Sequence, residues 1–233
     1  MEAVGLLVSS DPLKLPGTLV NIIKIESKGF KLNLLFYFTA GNGQVVLSEQ
    51  MLVDCSPYDA GCDGGYPENT FDFIIDNGGV CKEEDYPYTA QDGKLLIASY
   101  SETLQKYTSK LFSGRCSYTD SMMEGSISSY DFVNAHKSGV ETLAESIATN
   151  GPHVIGLFAN PAFQRYSSGI FDDPACPTNQ SNHAVIMVGY DMNDQYWLIR
   201  NSWSASWGEA GHIRLAMGKN MCNAEREAWV PFI

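Results

Sequence analysis

The stretch 182–208 constrains this chain more than any other. It reads Asn182-His183-Ala184-Val185-Ile186-Met187-Val188-Gly189-Tyr190, then a polar break, then Tyr196-Trp197-Leu198-Ile199-Arg200-Asn201-Ser202-Trp203-Ser204-Ala205-Ser206-Trp207-Gly208. The apolar runs 184–188 and 196–199 predict two strands, with Asp191-Met192-Asn193-Asp194 as the turn between them. A hairpin pairs residues equidistant from its turn, and 192 lies midway between 183 and 201. His183 and Asn201 are therefore expected to face each other at the open end, within side-chain reach. An imidazole held by an amide carbonyl keeps one tautomer and one ring plane, which is what a general base needs. A half-buried polar pair closing two strands satisfies the same spacing.

The remaining residues narrow the chemistry. Twenty-seven acidic against fifteen basic residues give a net charge of −12, which disfavours nucleic acid and anionic membrane surfaces as partners. No apolar run reaches the roughly eighteen residues of a membrane-spanning helix. The cysteines stand at 55, 62, 81, 116, 176 and 222. That spread suits a secreted or lysosomal disulfide set better than a zinc knuckle. Zinc at Cys55, Cys62 and Cys81 is the alternative, and no histidine stands near enough in sequence to support it.

Residues 1–36 are apolar in two runs, 19–25 and 32–38, without a clear helical or strand period. The segment 3–8 lacks the basic start of a signal peptide. From Tyr37 the pattern sharpens. Residues 37–44 end an element in a Gly-Asn turn. Residues 48–55 form a short helix with Ser48 as N-cap. Gly61-Cys62-Asp63-Gly64-Gly65 is a tight loop. Residues 67–76 form a helix with Phe71, Ile74 and Ile75 on its inner face, stopped by Asn77-Gly78-Gly79. Residues 139–149 form another, with Leu143, Ala144, Ile147 and Ala148 facing in. Strands are expected at 153–158, 169–171 and 211–217. Helices first and strands later, with no βαβ alternation, give an α+β protein with two unequal halves.

Asn201-Ser202-Trp203 followed by Trp207-Gly208 resembles the Asn-Ser-Trp-Gly-x-x-Trp-Gly stretch of papain-family cysteine peptidases, with Ser204 in place of the usual Gly. Leu-Ser-Glu-Gln-x-Leu-Val-Asp-Cys at 47–55, Gly-Cys-x-Gly-Gly at 61–65 and Asp85-Tyr86-Pro87-Tyr88 resemble the same family in the same order. The resemblance, cathepsin L-like, covers 37–93 and 114–233. It implies a two-domain papain-like fold: 37–130 an incomplete helical left domain, and 131–233 a β-barrel-like right domain whose C-terminal segment returns to the cleft. Residues 1–36 are unmatched. An insertion at 93–113 separates Tyr88 from Cys116; residues 94–113 carry three Lys against one Glu in an acidic chain. It reads as a surface loop or as an unspliced intron translated in frame, alternatives that transcript sequencing separates.

By the same resemblance His183 is the base, Asn201 its orienting partner and Trp203 the indole that shields their bond. Gly64 and Gly65 offer backbone to an extended substrate. Tyr66, Pro67, Gly156 and Ala184 line the main specificity pocket and Glu227 its floor, where an acid admits arginine as well as apolar side chains. An exposed charge in Glu225-Arg226-Glu227, paired with Arg226, is the other reading of Glu227. Asn182 stands where relatives often carry Asp. Disulfides Cys55–Cys116 and Cys176–Cys222 are implied, and a Cys62–Cys81 bridge requires their α-carbons within about 7 Å. No cofactor and no metal are implied. Expected partners are peptide or protein substrates and cystatin-like inhibitors, the protein being a monomer of the lysosome, the vacuole or the extracellular space.

The family's nucleophile lies in Gln-x-x-x-Cys-Gly-Ser-Cys-Trp, and this chain contains no such string. Counting back from Tyr37 puts the nucleophile position near Lys24, and a lysine without its own base cannot replace a thiolate. The oxyanion-stabilising glutamine is missing with it. The chain as written is expected to be an inactive form of a cysteine endopeptidase; the alternative is a non-catalytic relative that binds peptides or inhibitors.

Overall fold

The computed structural model describes residues 46–91 and 116–233, and the backbone strands 20–26 and 30–37. The turn at 37–44 beyond Tyr37, the segment 3–8 and the insertion 93–113 lie outside the described residues.

In chain order the elements begin with β1 (Val20–Glu26) and β2 (Phe30–Tyr37), an antiparallel hairpin. The two apolar runs that show no period in sequence thus pair with each other. Their register shifts between Lys24 and Glu26, an irregularity that breaks the alternation a regular strand would display. β1 lies beside the later strands at His153–Leu157 and His183–Asp191, and β2 beside the first helix.

Helix α1 (Glu49–Cys55) starts where its cap permits: the Ser48 hydroxyl accepts from the Met51 amide at 3.0 Å. Helix α2 (Pro67–Asn77) has proline in its first turn and ends at Gly78, whose φ of 76° is the left-handed geometry of a helix stop. Its buried face is Pro67, Thr70, Phe71, Phe73 and Ile74. Ile75, expected inside, is 36% exposed. The helical period carries the inner face through 67, 70, 71 and 74, and 75 lies past its edge.

β3 (Val80–Cys81) pairs with β4 (Met123–Gly125). β5 (Ser129–Val133), the short α3 (Ala135–Ser138) and α4 (Val140–Asn150) follow. Leu143, Ala144 and Ile147 of α4 are buried, whereas Ala148 faces solvent. Then come β6 (His153–Leu157), α5 (Pro161–Gln164), β7 (Ile170–Phe171), β8 (His183–Asp191), β9 (Tyr196–Arg200), β10 (His212–Ala216) and β11 (Ala228–Phe232). Seven strands form one sheet in the order β5-β11-β6-β8-β9-β10-β7.

Period-two alternation makes the sheet a wall between two cores. Val154, Ala184, Ile186 and Trp229 face α1 and α2 and join Met51, Phe71 and Ile74. Ile155, Leu157, Val185, Met187, Trp197 and Ile199 face the other way and bury the inner face of α4. Residues of β6 and β8 therefore sort by parity: the even ones look toward the helices of the first half.

Two disulfides close the frame, Cys55–Cys116 with α-carbons 4.9 Å apart and Cys176–Cys222 at 5.0 Å. No Cys62–Cys81 bridge forms, and Cys81 is a buried thiol. Cys55 being tied to Cys116 also removes the zinc alternative. Among the described residues no helix is long and apolar enough to cross a membrane, and no three His, Cys, Asp or Glu side chains gather as a metal site.

Candidate functional site

His183 opens β8 and Asn201 follows β9, and the Nε2–H of His183 donates to Asn201 Oδ1 at 2.9 Å. Both residues are buried. They meet, but not as cross-strand partners. The strands close at Asp191 opposite Tyr196, so the turn is 192–195, later than the sequence suggests. A bulge between Met187 and Gly189 shifts the register again, and beyond it Ile186 pairs with Arg200. Asn201 consequently sits diagonal to His183 on the sheet, a separation that a side-chain amide spans. The turn is set by Asp191, whose Oδ1 accepts from the amides of Asn193 at 2.8 Å and Asp194 at 3.0 Å.

The amide oxygen of Asn201 accepts a second bond, from the Ser202 amide at 2.7 Å, and the Asn201 amide donates to Gly211 O at 2.8 Å. The group holding the imidazole is thereby itself held. Among the described residues Asn201 Nδ2 and Ser202 Oγ are buried without a hydrogen-bond partner. On the other side Asn182 Oδ1 accepts from the Ala159 amide at 2.7 Å, and Asn182 N donates to Leu157 O at 3.0 Å. The backbone on both sides of the His183–Asn201 pair is fixed.

Trp203 stacks on the His183 ring, centroids 4.9 Å apart and planes 24° from parallel. Phe163 meets Trp203 edge-on at 5.8 Å and His183 at 6.4 Å, and Trp207 closes the set at 5.4 Å from both Phe163 and Trp203. These rings pack as an aromatic box against the buried His183 imidazole. Phe163, fully buried, is absent from the sequence reading. Its position comes from α5, where the Asn160 side chain caps the helix by accepting from the Phe163 amide at 2.8 Å. The pair Asn160-Pro161 is a helix start visible in the sequence, but nothing local says what Phe163 touches.

A second group of residues lies on the even-parity face. Gly156 and Ala184 are cross-strand neighbours. A β-carbon on Gly156 would stand 2.6 Å from Glu227 Oε2, so the carboxylate lies directly over the glycine. Glu227 Oε2 accepts from Ser181 Oγ at 3.1 Å, and Ser181 in turn accepts from Asn223 Nδ2 at 2.9 Å. Among the described residues Glu227 makes no ion pair with Arg226. Glu225, grouped in sequence with that exposed charge, is buried instead, taking Trp197 Nε1 at 2.9 Å, Gly218 N at 2.5 Å and Asn220 N at 2.8 Å.

Opposite this face stands the start of α2. Glu68, in its first turn, has its carboxyl raised above the usual range by burial first and then by the charges of Glu227, Asp59 and Asp72. Pro67 is buried, and Tyr66 stands 65% exposed at the rim. Gly64, with φ of 114°, turns the chain into Gly65 and Tyr66. The structure thus gathers His183, Asn201 and Trp203 in one place and Gly156, Ala184 and Glu227 in another. Gly64, Gly65, Tyr66 and Pro67 line the approach to α2.

A family model described as papain family cysteine protease matches residues 34–232. Cysteine proteinase 3 of Entamoeba histolytica is 39% identical over 189 residues, which is 79% of this chain and 53% of that protein. Cathepsin S of Mus musculus is 37% identical over 186 residues, 76% of this chain and 48% of the relative. A digestive procathepsin L proteinase from the Tenebrio molitor larval midgut superposes with a TM-score of 0.68 at 33% identity, covering 82% of this chain and 54% of that one. The bromelain protease of Ananas comosus, in complex with an inhibitor, gives 0.65 at 31% identity, covering 84% and 82%. The chain spans about half the length of the curated relatives it matches.

Proposed function

The chain belongs to the papain family of cysteine proteases, and on that premise we propose that it is a cysteine-endopeptidase scaffold that binds extended peptides and, in this form, does not cleave them. The observations that carry this are the His183–Asn201 pair under its aromatic cover and a sequence without the family's Cys-Gly-Ser-Cys-Trp string. Four of the six cysteines are locked in disulfides, Cys81 is buried in the core of the first half, and Cys62 lies in the 61–63 turn before Gly64.

The family chemistry is peptide-bond hydrolysis through a thiolate–imidazolium pair. His183 supplies the imidazole: with Nε2 held by Asn201 as a donor, Nδ1 is the nitrogen that would exchange the proton. Trp203 and Phe163 keep water from competing for the Asn201 carbonyl. Peptide backbone pairs with Gly64–Gly65, and the side chain preceding the residue at the scissile bond enters between Pro67, Gly156 and Ala184. Glu227 at the floor favours arginine there. Without a thiolate the cycle stops at binding. Two disulfides and the cathepsin and digestive relatives support a lysosomal, vacuolar or extracellular setting.

A second reading is an active endopeptidase whose nucleophile segment exists in another version of this gene product; the intact base, orienter and shield favour it. One experiment separates the two. The chain is incubated with a fluorescent arginine-containing peptide and with a thiol-directed peptidyl epoxide. Binding without hydrolysis or labelling is expected, and covalent labelling at the cleft sinks the proposal.

A further inference from the structure

The 56–66 loop carries a carboxylate that neither the base nor the pocket uses. Asp59 Oδ1 accepts from the Tyr66 amide at 3.0 Å and from Asn69 Nδ2 at 3.1 Å. Its Oδ2 accepts from Ser56 Oγ at 3.2 Å and from Thr70 Oγ1 at 3.3 Å. Ser56 closes α1, its amide donating to Leu52 O at 3.1 Å, whereas Asn69 and Thr70 belong to the first turns of α2. One side chain therefore ties the end of one helix to the beginning of the next. Lying at the N-terminus of α2, its charge also complements the helix dipole.

What lies inside that tie is the Gly64–Gly65–Tyr66 backbone. A β-carbon on Gly65 would stand 2.8 Å from Asp59 Cβ and 2.5 Å from Asp59 Cγ, so carboxylate and glycine backbone are packed face to face. Gly64 O accepts from the Ala60 amide at 2.8 Å, and Gly64 N donates to Gly61 O at 3.2 Å. The loop thus closes on itself around Asp59. Two adjacent glycines are the least constrained backbone a chain can offer, and ordering each costs about 1–2 kcal/mol of conformational entropy. A backbone edge that must pair with an incoming strand has to carry that ordering before the ligand arrives.

We propose that Asp59 is the positioning residue that holds the Gly64–Tyr66 backbone ready to pair with a bound peptide, and that peptide affinity follows its charge state. The proposal rests on the peptide-binding reading of this cleft. A carboxylate offers four acceptor sites to four donors; a carboxylic acid puts a proton where one donor stands, and the tie loosens. Burial raises the Asp59 carboxyl above its usual range, against the opposing pull of Tyr66, Asn69, Ser56 and Thr70. Among the described residues Glu68 on α2 is the charged group that senses it, while Tyr58 on the same loop bonds to Asp76 at 2.5 Å, away from it.

The test compares the full chain with Asp59→Asn and Asp59→Ala. Asparagine keeps an oxygen for Tyr66 and Asn69 and presents an NH2 to the hydroxyl oxygens of Ser56 and Thr70, and it does not titrate. Tyr66 amide exchange is read without ligand, and the affinity of a fluorescein-labelled leucine-containing tripeptide, which offers no charge to Glu227, is followed from about pH 7.5 to about pH 4, the range that spans a raised carboxylate. Asp59→Ala is expected to unprotect the Tyr66 amide and to weaken the peptide by about tenfold at the upper pH. Asp59→Asn is expected to bind within about twofold of wild type there and to lose the fall in affinity that wild type shows toward acid. Unchanged protection in Asp59→Ala, or an acid limb in Asp59→Asn equal to that of wild type, overturns the role given to Asp59. If wild type binds no peptide at any pH, the cleft reading fails instead, and the exchange data still decide whether Asp59 orders the loop.

Discussion

His183 and Asn201 are bonded at 2.9 Å although the strands carrying them place them two residues out of register. The bond depends on the bulge at Val188 and on the amide oxygen reaching diagonally across the open end of the hairpin. Replacing Asn201 with Ala removes the acceptor that fixes the Nε2–H tautomer. Imidazole nitrogen NMR shifts should move from a single Nε2–H form toward a mixture of tautomers. Leaving the buried donor unpaired should cost about 1–3 kcal/mol in a urea melt.

Phe163 is the side chain on which that arrangement leans. It contacts His183, Trp203 and Trp207 and is fully buried. Phe163→Ala is expected to cost about 3–5 kcal/mol. It should also collapse the near-ultraviolet circular dichroism of the tryptophans, because the box loses its centre. A variant that melts like wild type would contradict the packing described.

The proposed specificity pocket over Gly156 is narrow enough that one methyl group would decide its use. Gly156→Ala places its β-carbon against Glu227 Oε2 and Ser181 Oγ. Arginine-containing peptides should bind at least about tenfold more weakly, while Glu227→Gln should lower the preference for arginine over leucine by about the same factor. Isothermal titration with the two peptides checks both.

His153 makes stability depend on acidity. It is completely buried at the start of β6, donating from Nδ1 to Gly151 O at 2.9 Å and accepting at Nε2 from Ser146 Oγ at 2.8 Å. Burial lowers its pKa from 6.5 to about 4. The unfolded chain therefore takes up the proton first as pH falls. The His153 contribution is fully present above about pH 6.5 and is lost on descending toward about pH 4, a total of about 3 kcal/mol. In His153→Gln the urea midpoint should vary less over that window than in wild type.

The sequence carried the local decisions and missed the lateral ones. Ser48 as a cap, Gly78 as a stop and the existence of the two hairpin strands follow from residue chemistry within a few positions, although the turn falls one residue later than the spacing predicts. Family strings pointed to His183, Asn201, Trp203 and the pocket positions. The register of β8 against β9 was not legible, because a bulge at Val188 leaves no mark in an apolar run. Nor was the pairing of β1 with β2, whose irregular register hides the period. Asp59 and Phe163 act through partners far from them in sequence, Thr70 and Trp203 among them, and no local pattern encodes such contacts.

The position of β11 has a consequence for the order in which the protein can be made. Residues 228–232 lie between β5 and β6, pairing Trp229 with both Phe132 and Val154. A ribosome delivers β5 about a hundred residues before the strand that will join it to the sheet. During that interval Phe132 and Tyr130 wait beside an unfilled lane, and any strand edge nearby can occupy it. Closure of the sheet is thus a late event in synthesis, set by the arrival of Ala228–Phe232 rather than by the hairpin that holds His183.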